Sequence, residues 1–290
     1  MKETAVNTAG HTKDTATGDN AAGLTPEQVA FHRANGYVFP FRAMDKADAA
    51  GYRARIEAFE AEHKENAAQI LRQKSHLVLS FVAELVRLEP VLDKVQSLLG
   101  PDILCWSTSF FIKDSGDKQF VSWHQDAQYW GLEGDDMVTA WIALTPSNIS
   151  NGCMRVVPRS HLQVLEHRDT HNKGNMLTRG QEIAAEVNES QAVDLCLEAG
   201  QFSLHHERTV HGSKDNHSAD RRIGLAIRYI HPAARQVVES RDTATLVRGV
   251  DRYGHFGEEP RPRFDMDPVA VEYLEQLLSK RAGGSYRRKT

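Results

Sequence analysis

Cysteine is scarce in this 290-residue chain: Cys105, Cys153 and Cys196 lie far apart and are odd in number. That excludes a disulfide framework and a CxxC metal knuckle. Long hydrophobic runs are missing too. Nothing approaches the roughly 18–20 apolar residues that cross a bilayer, and the N-terminus lacks the apolar stretch of a secretory signal. Neither sign of charge dominates, with 35 Lys and Arg against 39 Asp and Glu and a formal charge of −4, so there is no electrostatic footprint for nucleic acid. These absences point to a cytoplasmic protein in a reducing compartment. Its partner is expected to be a small molecule, with no nucleic acid and no membrane, and the oligomeric state is not legible.

Large apolar side chains are nearly absent from residues 1–23, which are expected to form a disordered tail. Acids are absent from residues 280–290, read as a basic flexible tail. A single domain is expected over 24–279, a length within the reach of one large β-rich unit.

What is present begins with helices. Thr25, Pro26, Gln28 and Gly36 mark both ends of a short helix in "LTPEQVAFHRANG". A strand is expected over 37–40. Tyr52, Ile56 and Phe59 recur at helical spacing, and a second apolar helical region over 77–99 is expected to break at Pro90 and close at Gly100. From Ile103 the texture changes to short runs rich in Phe, Ile, Val, Trp and Thr between Gly, Asn, Asp and Pro clusters: "ILCWSTSFFIK", "MVTAWIALT", "CMRVVP", "AVDLCLE", "QFSLHHERTVH" and "RRIGLAIRYI". There is no βαβ alternation, no G-x-G-x-x-G and no internal repeat. The pattern predicts a mainly β antiparallel sandwich or barrel with helices flanking one side.

Three features carry chemistry. His124, Gln125 and Asp126 form an H-x-D triplet; on a strand, positions i and i+2 project to one face and bring an imidazole and a carboxylate side by side. Among 14 histidines and 39 acids such a triplet is weak evidence by itself. His211, from a distant strand, would complete a facial set of two histidines and one carboxylate, which leaves half of an octahedral metal open. Arg222, eleven residues further on, carries a planar guanidinium suited to the far end of a dicarboxylate.

Together with "LTPEQVAFHRANGYVF", "WHQDAQYW", "AWIALTPSNISNGCMRVVPRSH" and "HGSKDNHSADRR", these features over residues 24 to 235 resemble the phytanoyl-CoA dioxygenase family of iron(II)- and 2-oxoglutarate-dependent oxygenases. The resemblance implies a double-stranded β-helix (a cupin-like jelly roll) with His124, Asp126 and His211 as Fe(II) ligands and Arg222 on the cosubstrate's C5 carboxylate. It further implies cosubstrate contacts from Ser213 and Trp141. The implied reaction consumes O2, converts 2-oxoglutarate to succinate and carbon dioxide, and hydroxylates an unactivated C–H of a small polar metabolite such as an amino acid, a quaternary amine or an aminoalkylphosphonate. Halogenating relatives replace the triplet's carboxylate by a small residue, so Asp126 favours hydroxylation.

Arg228 shares strand parity with Arg222 and points a second cation toward the pocket or pairs with a buried acid. Tyr129 and Trp130 follow the triplet and are candidate substrate contacts, with ordinary packing as the alternative. His205 and His206 are expected to be core or supporting groups, and His161, His167 and His171 to be solvated loop histidines. Two other readings stay open: a non-catalytic binding module, and a zinc hydrolase built on the same three ligands, which would need no oxygen.

Overall fold

The computed structural model describes residues 22–134, 137–238 and 242–282. Residues 1–21 of the expected N-terminal tail and 283–290 of the expected C-terminal one lie outside the described residues. The domain is already anchored at Gly23, whose carbonyl accepts from Lys94 Nζ at 3.0 Å. At the other end a helix, Pro268–Ala282, runs past 279 into the segment read as tail.

Helix α1 (Pro26–Asn35) begins with a capping box between Thr25 and Gln28 and ends at Gly36, whose φ of 85° suits a residue without Cβ. Strand β1 (Tyr37–Arg42) follows, then α2 (Lys46–His63) capped by Asp45, and α3 (Glu65–Arg72). The second apolar helical region is two helices, α4 (Ser80–Leu85) and α5 (Glu89–Leu99). The break falls before Pro90 rather than at it. Proline lacks only an N–H that the first helical turn leaves unused, so Pro90 sits inside the start of α5.

The strands are β2 (Ile103–Lys113), β3 (Val121–His124), β4 (Leu132–Glu133), β5 (Met137–Ala143), β6 (Met154–Val156), β7 (His167–Asp169), β8 (Gln181–Ile183), β9 (Val193–Asp194), β10 (Gln201–His206), β11 (His211–Ser213), β12 (Arg222–Ile230), β13 (Arg235–Gln236), β14 (Thr243–Arg248) and β15 (Gly257–Glu258). A one-turn helix, α6 (Ala127–Trp130), follows β3, and α7 (Pro268–Ala282) closes the chain. A seven-stranded sheet in the order β1-β10-β5-β12-β2-β14-β15 faces a four-stranded sheet, β3-β11-β6-β9. This is the double-stranded β-helix, the jelly roll of the expected class. The run "QFSLHHERTVH" is not one strand: a turn in which Thr209 N–H donates to His206 O sends β10 and β11 into different sheets.

Period-two alternation divides the large sheet's faces. On β5, Val138, Ala140 and Ile142 join a core with Phe81, Leu92 and other helix residues, while Trp141 and Ala143 face Met154 and Val156 of the small sheet. On β12, Ile223, Leu225, Ile227 and Tyr229 take the helix side, leaving Arg222, Ala226 and Arg228 to face the interior cavity. Each fully buried Leu, Ile or Phe contributes about 1.5–3 kcal/mol. The helical layer thus fixes the sheet from behind and frees its inner face for polar groups.

Candidate active site

His124 ends β3 and His211 opens β11, and the two residues are directly paired in the ladder, with imidazole centroids 4.1 Å apart. Asp126 arrives by another route than the expected strand parity. Its φ of −62° and ψ of −42° are helical, and it stands at the head of α6. The chain turns after His124, and the turn, not an i/i+2 projection, brings Asp126 Oδ1 to 3.3 Å from His124 Nε2. One ligand atom from each of His124, Asp126 and His211 lies within 4.8 Å of the others, and all three residues are buried.

Both imidazoles are oriented by the backbone. His124 Nδ1 lies 2.9 Å from the Ser122 carbonyl and His211 Nδ1 lies 2.9 Å from the Thr209 carbonyl. A carbonyl only accepts, so each Nδ1 carries a hydrogen, and in the neutral imidazole that leaves Nε2 as the lone-pair nitrogen. At 3.3 Å the His124 lone pair confronts a carboxylate oxygen, an arrangement that calls for a cation or a proton between them. Burial alone would raise the Asp126 carboxyl, but positive charge beside it, a proton shared with His124 and His211 or the cation that takes its place, together with Arg228, holds it well below the ordinary range. Burial and the neighbouring His124 bring His211 down to about 4, which keeps its imidazole neutral at pH 7. Two neutral imidazoles and an ionised carboxylate are the donor set of a divalent transition metal, so the residues fit an iron ion.

Gln125, unremarked in the sequence, clamps this turn. Its Nε2 donates to the Gln163 carbonyl at 2.7 Å and to the Arg208 carbonyl at 2.6 Å, and its Oε1 accepts from Leu165 N–H at 2.9 Å. Arg208 leads into the strand of His211, so one side chain ties the two halves of the ligand set. His167 is no solvated loop residue: it begins β7, and its Nε2 accepts the Gln125 N–H at 2.8 Å. Only its position across the sheet reveals this.

Arg222 lines the same cavity as the ligands and is buried, with Nε lacking a hydrogen-bond partner. Its guanidinium lies 5.4 Å from the Trp141 ring centroid, and one terminal nitrogen donates to the Gly152 carbonyl. Burial lowers Arg222 to about 10, still protonated at neutral pH. Arg221 faces elsewhere, onto Glu60 at 2.8 Å and Asp114 at 2.6 Å. Trp141 can cover this end because Gly224 has no side chain; a Cβ there would stand 1.9 Å from the indole. Ser213 lines the same cavity and accepts from the buried Lys113 Nζ at 2.7 Å.

On the other side of the triad a cavity of about 260 Å³ is lined by His124, Asp126, Tyr129, Trp130, Arg72, Ser109 and Arg228, among others. Arg228 lines both this cavity and the one toward Arg222. The guanidinium donates to Ser109 Oγ at 2.9 Å and lies 5.4 Å from the Trp130 ring centroid. Trp130 is buried and also packs on Trp106, with centroids 5.3 Å apart. His205 is buried beside the triad, its ring centroid 4.8 Å from that of His211 and both its nitrogens unpartnered. His206 instead sits near His161, with centroids 5.2 Å apart.

The family model of phytanoyl-CoA dioxygenase matches residues 32–224. A probable alpha-ketoglutarate-dependent hypophosphite dioxygenase of Stutzerimonas stutzeri is 31% identical over 175 residues, covering 59% of this chain and 60% of the relative's length. Among solved structures, the non-heme monooxygenase ThoJ in its apo form is 36% identical, with a TM-score of 0.79 over 88% of this chain and 96% of that one. Its nickel complex is 34% identical, with a TM-score of 0.74 over 88% and 97%. Among the described residues, no helix is long and apolar enough to cross a membrane.

Proposed function

The chain belongs to the phytanoyl-CoA dioxygenase family, and from that premise we propose that it is a non-haem iron(II), 2-oxoglutarate-dependent dioxygenase that hydroxylates a C–H bond of a small metabolite bearing an anionic group. One observation carries the reading: two Nε2 lone pairs and a carboxylate converge within 4.8 Å, and a buried guanidinium lines the same cavity. Iron and 2-oxoglutarate, when bound, supply an oxidant strong enough for an unactivated C–H bond, with succinate and carbon dioxide as the cosubstrate's products.

The protein's share is binding, orientation and exclusion of water. His124, Asp126 and His211 would hold the ion as its three protein ligands, a number that leaves a six-coordinate metal positions for cosubstrate and oxygen. Arg222, with Ser213, receives the distal carboxylate of the dicarboxylate, and Trp141 walls that end off from solvent. Asp126 fills the position a halide would need, which favours hydroxylation over halogenation. Among the described residues, Arg72 and Arg228 are two cations in the outer cavity against the single acid Asp126, whose charge a metal would neutralise. A substrate carboxylate or phosphonate suits that surplus, and a relative named for hypophosphite, itself an anion, is consistent with it. A quaternary amine does not suit it, because Arg228 and Trp106 already pack against the Trp130 ring.

The test is a panel of amino acids, aminoalkylphosphonates and quaternary amines incubated with iron-loaded protein, 2-oxoglutarate and air, followed by succinate and product analysis. Succinate formed one-to-one with a hydroxylated anion, and only with oxygen, is the expected result. Turnover without oxygen would favour a zinc hydrolase, and absence of succinate with every compound a binding module.

A further inference from the structure

This inference rests on 2-oxoglutarate being the cosubstrate. Lys113 ends β2 and stands opposite Arg222 in the β2–β12 register. It is fully buried. Its Nζ donates to Ser213 Oγ at 2.7 Å and to the Lys214 carbonyl. Two N–H donors are what a neutral amine has, whereas an ammonium has three. Among the described residues no carboxylate lies within ion-pair distance of Lys113. The charged and titratable groups that face it are Arg222 on β12, Asp117 and Asp215 in flanking loops, and the Cys153 thiol ahead of β6. Asp215 is engaged by His217 at 2.9 Å and Lys118 at 3.7 Å, and Asp117 accepts the Gln119 N–H at 2.8 Å.

A buried cation without a counter-ion is costly, and a second beside it would be more so, which leaves the charge on Arg222 and the Lys113 amine neutral. The cluster of Arg222, Lys113 and Ser213 therefore lacks an anion that the chain itself does not provide. We propose that Lys113 is a positioning residue of the cosubstrate site, which holds Ser213 as a neutral amine and takes up one proton when the distal carboxylate of 2-oxoglutarate settles against Arg222. The proton comes from solvent: a new N–H bond forms on Nζ and no bond in the protein breaks. Ser213 Oγ, accepting from Lys113 in either state, keeps its own hydrogen to donate into the cavity. Burial first, and the Arg222 charge second, bring Lys113 down to about 6, so the amine is mostly unprotonated at neutral pH. A nearby carboxylate raises that value. Binding is then linked to proton uptake, and cosubstrate affinity falls as pH rises, by up to about tenfold per unit for one proton.

The experiment titrates nickel-loaded protein with 2-oxoglutarate by calorimetry, in buffers of different ionisation enthalpy and between pH 6.5 and 8.5. The wild type is expected to take up close to one proton at pH 7.5, with affinity falling severalfold or more from pH 7 to 8. Lys113→Met is expected to bind nickel normally, to bind 2-oxoglutarate more weakly at pH 7 and to show neither proton uptake nor the pH slope. Wild-type binding without net proton uptake would overturn the proposal without any variant, and so would a Lys113→Met protein that keeps the uptake. If the nickel-loaded wild type does not bind 2-oxoglutarate at all, the cosubstrate reading fails and takes this proposal with it.

Discussion

Lys74 and Lys113 are both fully buried, yet their surroundings are opposite. Lys74 Nζ meets Glu259 Oε1 at 2.5 Å and the Thr243 carbonyl at 2.9 Å. The Glu259 carboxylate also accepts from Thr243 Oγ1 and Thr245 Oγ1, each at 2.7 Å, and lies 3.2 Å from His76 Nε2. Burial would raise Glu259, but Lys74 and His76 hold it well below the ordinary carboxyl range. That region is complete: it ties the residues after α3 to the C-terminal strands, with charge and counter-charge both in the chain. Lys113 has a hydroxyl, a carbonyl and a second cation instead. A buried charge that serves the scaffold brings its counter-ion with it, and one that serves a ligand leaves it out.

The largest expected effect separates the two regions outright. Asp126→Ala should lower succinate formation at least a thousandfold, roughly 4 kcal/mol of barrier, and leave the Lys74–Glu259 region intact. A melting temperature that collapses along with activity would show the two regions to be one. Next come the two lysines themselves. Lys74→Met strands Glu259 as a buried unpaired charge and should cost about 3–5 kcal/mol in urea unfolding, whereas Lys113→Met leaves no such charge and should stay within about 1 kcal/mol of wild type. Equal losses would erase the distinction.

A smaller effect concerns acid. Glu259 is depressed from its ordinary 4.5, so its contribution is fully present above about pH 4.5 and is lost as pH falls through the depressed value. Glu259→Gln should flatten the acid limb of stability by up to about 1.4 kcal/mol per pH unit. An unchanged limb would mean that Glu259 is not held by Lys74. Of comparable size, on the cosubstrate side, Gly224→Ala forces Trp141 aside and should cost about 1–3 kcal/mol, with cosubstrate affinity falling alongside. Retained affinity would take Trp141 out of the cosubstrate end.

The division of β12 into helix-facing and cavity-facing residues is legible from period two, because the strand is long and its arginines, Arg222 and Arg228, share one face while Ile223, Leu225 and Ile227 share the other. So are the caps of α1, where Thr25, Pro26, Gln28 and Gly36 act on their own neighbours. Where distant segments decide the geometry, reading along the chain fell short. Asp126 reaches His124 through a turn clamped by Gln125, whose partners lie near 163–165 and 208. Lys113 looks like the polar end of a strand until the β2–β12 register sets it against Arg222. His167 and His205 acquire meaning only from what folds over them.

The most direct test of the account is an anaerobic titration of iron(II)-loaded protein with 2-oxoglutarate, following the visible charge-transfer absorption that a chelating keto acid gives on ferrous iron. The account predicts that the band appears in the wild type and is lost in His211→Ala. In Arg222→Ala it should need more cosubstrate by roughly 2–5 kcal/mol of lost charge pairing. A wild-type protein that binds iron and develops no band at any 2-oxoglutarate concentration would contradict it.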